Sequence, residues 1–131
     1  MDDFLVKIIL PSKTALSINA HMVNIPGMNG DFGVLKGHIK LISNIKIGII
    51  SIFSKDIEIK YFVYGGIAQI DQNELNILSE FAININEISK TTILDNIDLF
   101  KSKLVEIDKD SLDAEIINDK LEKYQSLLKF I

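Results

Sequence analysis

The stretch Leu16-Ser17-Ile18-Asn19-Ala20-His21-Met22-Val23, residues 16–23, decides the class of the fold. Successive side chains of an extended chain point to opposite faces, so Leu16, Ile18, Ala20 and Met22 share one face and Ser17, Asn19, His21 and Val23 the other. One face is core; the other is mostly wet. The same period of two runs outward through residues 4–10, 31–35, 39–45, 47–53, 57–64, 67–70 and 75–82, with Gly, Asn, Asp and Pro between most of the runs. Short alternating strands separated by turn residues are the pattern of an antiparallel sandwich or barrel. Ser54-Lys55-Asp56 and Asp71-Gln72-Asn73 are connectors of hairpin length, and Gly65-Gly66 marks a bend or a close backbone approach.

The period changes near Glu87. Asp95 is expected to cap a helix in which Ile97, Phe100, Leu104 and Ile107 recur at spacings of three and four. Asp108-Lys109-Asp110 then makes a polar link and Ser111 caps a second helix, whose stripe is Leu112, Ile116, Ile117, Leu121, Tyr124, Leu127 and Leu128. The chain divides into a β-sandwich over residues 1–86 and an antiparallel two-helix hairpin over residues 87–131. A hairpin of that size is near the lower limit for independent folding, so its stripe must rest on the sandwich, on itself or on a partner.

At 131 residues the chain holds one domain, or one domain with an appendage. Its 47% hydrophobic and 24% charged residues argue against disorder. Zero Cys excludes disulfides and thiolate metal sites, and two separated His, His21 and His38, leave little for any other metal. Net charge is −4, all 14 basic residues are Lys and there is no Arg, which disfavours nucleic acid as a partner. Abundant Ile and Lys without Arg is also what a low-GC coding bias produces. Seven lysines meet eight acids over residues 1–86, and seven meet ten over residues 87–131, so the tail is the more acidic part. The start MDDFLVKIIL has acids where a signal peptide carries positive charge, and the apolar run of 13 residues at 41–53 contains Lys46. Crossing a bilayer takes about 20 mostly apolar residues, so a soluble or peripheral protein is expected.

Catalytic machinery is not legible. G-x-S-x-G, H-E-x-x-H and G-x-x-x-x-G-K-[ST] are all missing, and no nucleophile with its base can be named. Gly27, Gly30 and Gly33 follow Pro26 between strands and open no helix, so they read as tight turns needing positive φ rather than a phosphate loop. His38 reads as a turn histidine, and Asp31 and Glu80 as surface charges. Tyr61, Phe62 and Tyr64 form either an aromatic platform or ordinary sheet packing. Apolar residues on both phases, among them Ile42, Ile50, Ile52, Phe62 and Tyr64, exceed what one core can hide. Either a second layer from the same chain covers them or a partner does.

A resemblance takes the reading further. Ile25-Pro26-Gly27-Met28-Asn29-Gly30-Asp31-Phe32-Gly33-Val34-Leu35-Lys36-Gly37-His38, followed by Leu41-Ile42-Ser43 and Ile47-Gly48, resembles a signature block of the epsilon subunits of F-type ATP synthases. Phe62-Val63-Tyr64-Gly65-Gly66-Ile67-Ala68-Gln69-Ile70, then Asn73 and Ile77-Leu78-Ser79-Glu80, is similar to a second block, in the right order and spacing. The likeness extends over essentially the whole chain, because that family joins an N-terminal antiparallel ten-stranded β-sandwich to a C-terminal helical hairpin. It implies a non-catalytic component of the rotary central stalk, whose sandwich binds the gamma subunit on one side and the polar loops of the membrane c-ring at its base.

By the same resemblance the loop with Gly30, Asp31 and His38 faces the c-ring, and Ile42, Ile50, Ile52, Phe62 and Tyr64 are the candidate gamma-facing residues. The hairpin of such a protein folds down or extends toward the alpha and beta subunits, where it opposes ATP hydrolysis. Ile97, Phe100, Leu104, Ile116, Leu121, Tyr124 and Leu128 are the residues that the two packings would exchange. Some members bind ATP through Ile/Leu-Asp, two residues, then Arg-Ala. Here Leu94-Asp95 is kept but Asp98-Leu99 follows, and with no Arg no cofactor is expected. Lys101, Lys103, Lys120, Lys123 and Lys129 offer only point charges in its place. The implied location is the cytoplasmic face of a bacterial inner membrane, reached only through the complex, or else the stromal face of a plastid thylakoid. A free-standing nucleotide-sensing or adaptor sandwich is the competing reading.

Overall fold

The computed structural model describes residues 3–71 and 73–131, so Gln72 of the second polar connector and Asp2 of the acidic start lie outside the described residues. Ten strands precede two helices: β1 Phe4–Ile9, β2 Thr14–Ala20, β3 Met22–Ile25, β4 Phe32–Val34, β5 Leu41–Ile45, β6 Gly48–Ser54, β7 Ile57–Val63, β8 Gly66–Asp71, β9 Glu74–Leu78, β10 Ala82–Asn84, α1 Lys90–Glu106 and α2 Leu112–Leu128. The strands form two five-stranded sheets, ordered β2-β1-β9-β8-β5 and β10-β7-β6-β3-β4. All pairings are antiparallel except β1 with β9, which run parallel from Leu5↔Glu74 to Ile9↔Leu78. The sandwich and hairpin of the sequence reading are both present.

Between the sheets lie Val6, Ile8, Val23, Ile25, Ile50, Ile52, Leu75 and Ile77, each at 1% exposure or less. Each comes from the inward phase of its strand, and full burial of an aliphatic side chain contributes about 1.5–3 kcal/mol. Ser54 and Ser79, the buried polar residues among those described, satisfy their hydroxyls by donating to the carbonyls of Asn19 and Gly65, at 2.7 Å each.

The fold departs from the sequence-based expectation in four places. Residues 16–23 are two strands rather than one, because the chain turns a corner at His21, whose N–H donates to the Phe53 carbonyl at 2.9 Å, and the next residues join the other sheet. The inward phase flips at that corner, from Ala20 to Val23 and Ile25. Residues 75–82 break in the same way at Ser79, whose hydroxyl bonds Gly65 and Phe81 carbonyls and turns β9 into β10 of the opposite sheet. Of the three glycines after Pro26, Gly30 alone has positive φ, at 126°; Gly33 is a strand residue, and Gly27 is required because a Cβ there would stand 2.6 Å from the Gly30 carbonyl.

Fourth, α1 begins nearly two turns earlier than Asp95 implies. Ser89 is its N-cap, its hydroxyl accepting from the Thr92 N–H at 3.1 Å, and Asp95 lies inside the helix. The reason is that the buried face starts at Ile93 and not at Ile97. Ser111 caps α2 as expected, accepting from the Ala114 N–H at 3.1 Å. Asp108 shapes the link: its carboxylate accepts from Asp110 N–H and its carbonyl from Ser111. Chain contacts separate into two compact units, Met1–Asn84 and Ile85–Ile131. Within the second, α1 and α2 pack against each other, and Phe100 stacks on Tyr124 at 5.5 Å between ring centroids.

Candidate functional site

The loops at one end of the sandwich are stitched together by backbone. The Pro26 carbonyl accepts from Lys46 N–H at 2.9 Å, Met28 N–H donates to the Asn44 carbonyl at 3.0 Å, and Gly27 bridges Ile45. This clamp fixes the turn that carries Gly30 and Asp31 against the corner that carries Lys46. Asp31 and Lys46 form an ion pair at 3.5 Å, with both side chains open to solvent. A second turn, residues 35–38, closes through His38 N–H on the Leu35 carbonyl at 3.1 Å, with Gly37 at φ 81°. His38 is half-buried, and its Nδ1–H donates to the Ile39 carbonyl at 2.8 Å. Gly30, Asp31 and His38 thus sit in the loops on either side of β4, with exposed Met28, Leu35 and Ile39 among them. Sequence reasoning missed Lys46, because nothing in a separation of fifteen positions announces an ion pair.

The outer face of the first sheet is the second surface. Register places Ile9, Leu78 and Ile67 side by side across β1, β9 and β8. Together with Leu10, Pro11, Tyr64 and the Gly65-Gly66 bend they line an open groove of about 610 Å³, mostly apolar. Farther along the face, Ile42 pairs with Gln69 and is 70% exposed, beside a groove of about 450 Å³ lined by Lys40, Leu41, Gln69, Asp71 and Asn76 among others.

This corrects the candidate set for a sheet exterior. Ile42 and Tyr64 belong to the outer face or its rim, but Ile50 and Ile52 are fully buried between the sheets, because β6 is a central strand whose even-numbered residues face inward. Phe62 is fully buried as well, of opposite phase to Tyr61 and Val63 and edge-on to Phe81 at 6.1 Å. Tyr61 belongs to the core and its hydroxyl donates to the Ala15 carbonyl at 3.4 Å, so the three aromatics make no common platform. Ile9, Leu10, Ile67 and Leu78 were the missed residues. Their signal was apolar character on the outward phase of β1 and β9, where Leu5 and Ile9 flank Lys7.

On the hairpin, Ile97 is buried, Phe100, Leu104, Leu121, Tyr124 and Leu128 are half-buried, and Ile116 is 47% exposed. Ile93, Ala114 and Leu127 are the more deeply buried positions. Lys123 lies against Asp119 one turn away, at 2.7 Å. Among the described residues no group of three or more His, Asp or Glu is placed to hold a metal ion, and no helix is long and apolar enough to cross a membrane.

Comparison with known proteins decides what such a fold belongs to. The family model described as "ATP synthase, Delta/Epsilon chain, beta-sandwich domain" matches residues 3–85. An ATP synthase epsilon chain of Nitrobacter hamburgensis is 32% identical over 127 residues, spanning 97% of this chain and 93% of that protein.

The chain belongs to the ATP synthase epsilon chain family.

The likeness to other epsilon chains is denser over part of the chain: that of Rickettsia prowazekii is 40% identical over 91 residues, covering 67% of this chain and 81% of its own. Among solved structures, a chain of the Euglena gracilis mitochondrial ATP synthase superposes with a TM-score of 0.67 at 17% identity, covering 97% of this chain and 78% of that one. One from the Tetrahymena thermophila mitochondrial ATP synthase central stalk and c-ring gives 0.56 at 13% identity, with 95% of each covered. At these identities the likeness is one of fold. Here the family's sandwich presents two separate surfaces, a clamped loop end and an apolar sheet face.

Proposed function

We propose that the chain is a non-catalytic subunit of the ATP synthase central stalk. Its sandwich joins the gamma subunit to the c-ring, passing ion-driven rotation to the catalytic head, and its helical hairpin restrains ATP hydrolysis. The observation that carries the proposal is the apolar groove of Ile9, Tyr64, Ile67 and Leu78 on the outer face of the first sheet. An apolar centre with a polar rim, here Glu80 beside the groove and Lys40 and Asp71 farther along, is the composition of a protein interface core. In this reading that face, with Ile42, meets gamma, while Gly30 and Asp31 meet the ring at the clamped loop end; His38 lies in the turn at the opposite end of β4 and is not part of that end. The matched relatives from bacteria support a place on the cytoplasmic face of a bacterial inner membrane, held there by the complex alone.

Reconstitution tests the core of it. Ile67→Glu puts a charge into the groove, and is expected to weaken association with gamma at least tenfold while leaving the isolated chain folded. Undiminished association would overturn the assignment of that face. Removing the hairpin after Asn86 is expected to raise ATPase activity of the assembled complex; unchanged activity would leave the hairpin without a restraining role. The hairpin works without ATP in this proposal, since Asp98-Leu99 replaces Arg-Ala and the chain has no Arg. Calorimetric titration of the full chain with ATP checks this, and tight binding would favour the nucleotide-sensing alternative.

A further inference from the structure

The Asp31–Lys46 pair, 3.5 Å between its charged atoms, is carried on two anchored stretches of backbone. Both residues are delivered by backbone that is itself fastened, through Lys46 N–H to Pro26, Met28 N–H to Asn44 and the Gly27–Ile45 bridge. Gly27 packs so closely on the Gly30 carbonyl that a Cβ would come within 2.6 Å, so the turn leading to Asp31 has little slack. Yet the two side chains are 75% and 51% exposed, and the pair is open to an incoming group from solvent. Other charges nearby in sequence are otherwise engaged or exposed: Lys40 pairs with Asp71 at 3.8 Å, His38 bonds the Ile39 carbonyl, and Lys36 is exposed.

We infer that Lys46 is an internal competitor for Asp31 that weakens the hold of the loop end on the ring. The inference rests on the proposal above that Asp31 faces the c-ring. A carboxylate recognises a cation or a hydrogen-bond donor, so docking on such a group requires Asp31 to exchange it for the Lys46 ammonium, which returns to water. An exposed ion pair contributes at most about 1 kcal/mol, so the exchange costs up to about fivefold in affinity. Because the competing pair is screened by salt, the penalty shrinks as ionic strength rises.

The test uses the full chain assembled with its gamma subunit, and measures binding of this stalk to detergent-purified c-ring from low to high salt. Lys46→Gln keeps a polar side chain of similar length and is expected to tighten binding two- to fivefold at low salt, with the gain fading at high salt. Asp31→Asn is expected to weaken binding, and Lys46→Gln added to it is expected to have no further effect. If Asp31→Asn weakens binding but Lys46→Gln leaves it unchanged or weakens it, Lys46 is no competitor and the inference falls while the ring contact stands. If Asp31→Asn has no effect on a stalk that still binds the ring, the contact assigned to Asp31 falls with it. Unchanged urea midpoints for all three variants are required to read binding as binding.

Discussion

Gly66 enters β8 with φ at 150°, and a Cβ built there runs into the Leu78 carbonyl of the neighbouring strand. Gly30 has φ of 126° with nothing within 4 Å of the equivalent position. Backbone strain alone costs about 1–3 kcal/mol, so Gly30→Ala is expected to stay in that range in urea unfolding, and Gly66→Ala to exceed it. Side-chain burial separates another pair. Ile52→Ala empties a fully buried site and is expected to cost about 2–5 kcal/mol, whereas Ile42→Ala, at a residue 70% exposed, is expected to cost under about 0.5 kcal/mol. Equal losses at the two positions would contradict the burial described. Both isoleucines stand in strands with apolar residues on each phase, so periodicity alone left their faces undecided. Register settles it, since Ile52 stands opposite Val23 of the core while Ile42 stands opposite Gln69 on the outward phase of β8.

Among the elements, the helices offer the plainest check on where each begins. Loss of an N-cap hydroxyl typically costs about 1 kcal/mol, so Ser89→Ala and Ser111→Ala are each expected to lower stability by about that much in thermal unfolding followed by circular dichroism. Asp95→Ala, inside α1 and exposed, is expected to be nearly neutral. A full cap-sized loss at Asp95 would restore it as the start of the helix. The existence of both helices was legible because a 3.6-residue period over so many positions has few alternatives. The start of α1 was not, because Ser89, Thr91, Thr92 and Asp95 are all acceptable caps and the choice falls to whichever lets Ile93 reach its buried place. Strand boundaries failed for a related reason. At His21 and at Ser79 the chain changes sheets without a Gly or Pro, using a backbone bond to Phe53 in one case and a buried hydroxyl in the other. Local sequence carries no mark of either.

For the molecule as a whole, composition and the change of period near Glu87 were enough to give a sandwich followed by a hairpin. The pairing of its strands was out of reach, since β1 with β9 and β5 with β8 join residues far apart in the chain. The candidate site was legible in part for the same cause. Asp31 and His38 stand out within one short stretch of sequence, although β4 separates their two turns, but the groove needs β1, β8 and β9 laid side by side before Ile9, Ile67 and Leu78 meet. The five ion pairs among the described residues join side chains of which at least one is substantially exposed, so they add little to stability. Neutralising the exposed pair with Lys60→Gln is expected to change the free energy of unfolding by less than about 1 kcal/mol, by the same urea measurement.

The parallel seam between β1 and β9 has a consequence for biosynthesis. Residues 4–9 leave the ribosome long before residues 74–78 exist, and at roughly 5–20 residues per second the wait is on the order of 4–14 s. During that time β1 and β2 can zip together as a hairpin, but the first sheet has no centre. The sandwich therefore closes after translation has passed its ninth strand, and in a nascent chain stalled short of Glu74 the first sheet is two separate ribbons, β2-β1 and β8-β5, each with its greasy side still waiting for a mate.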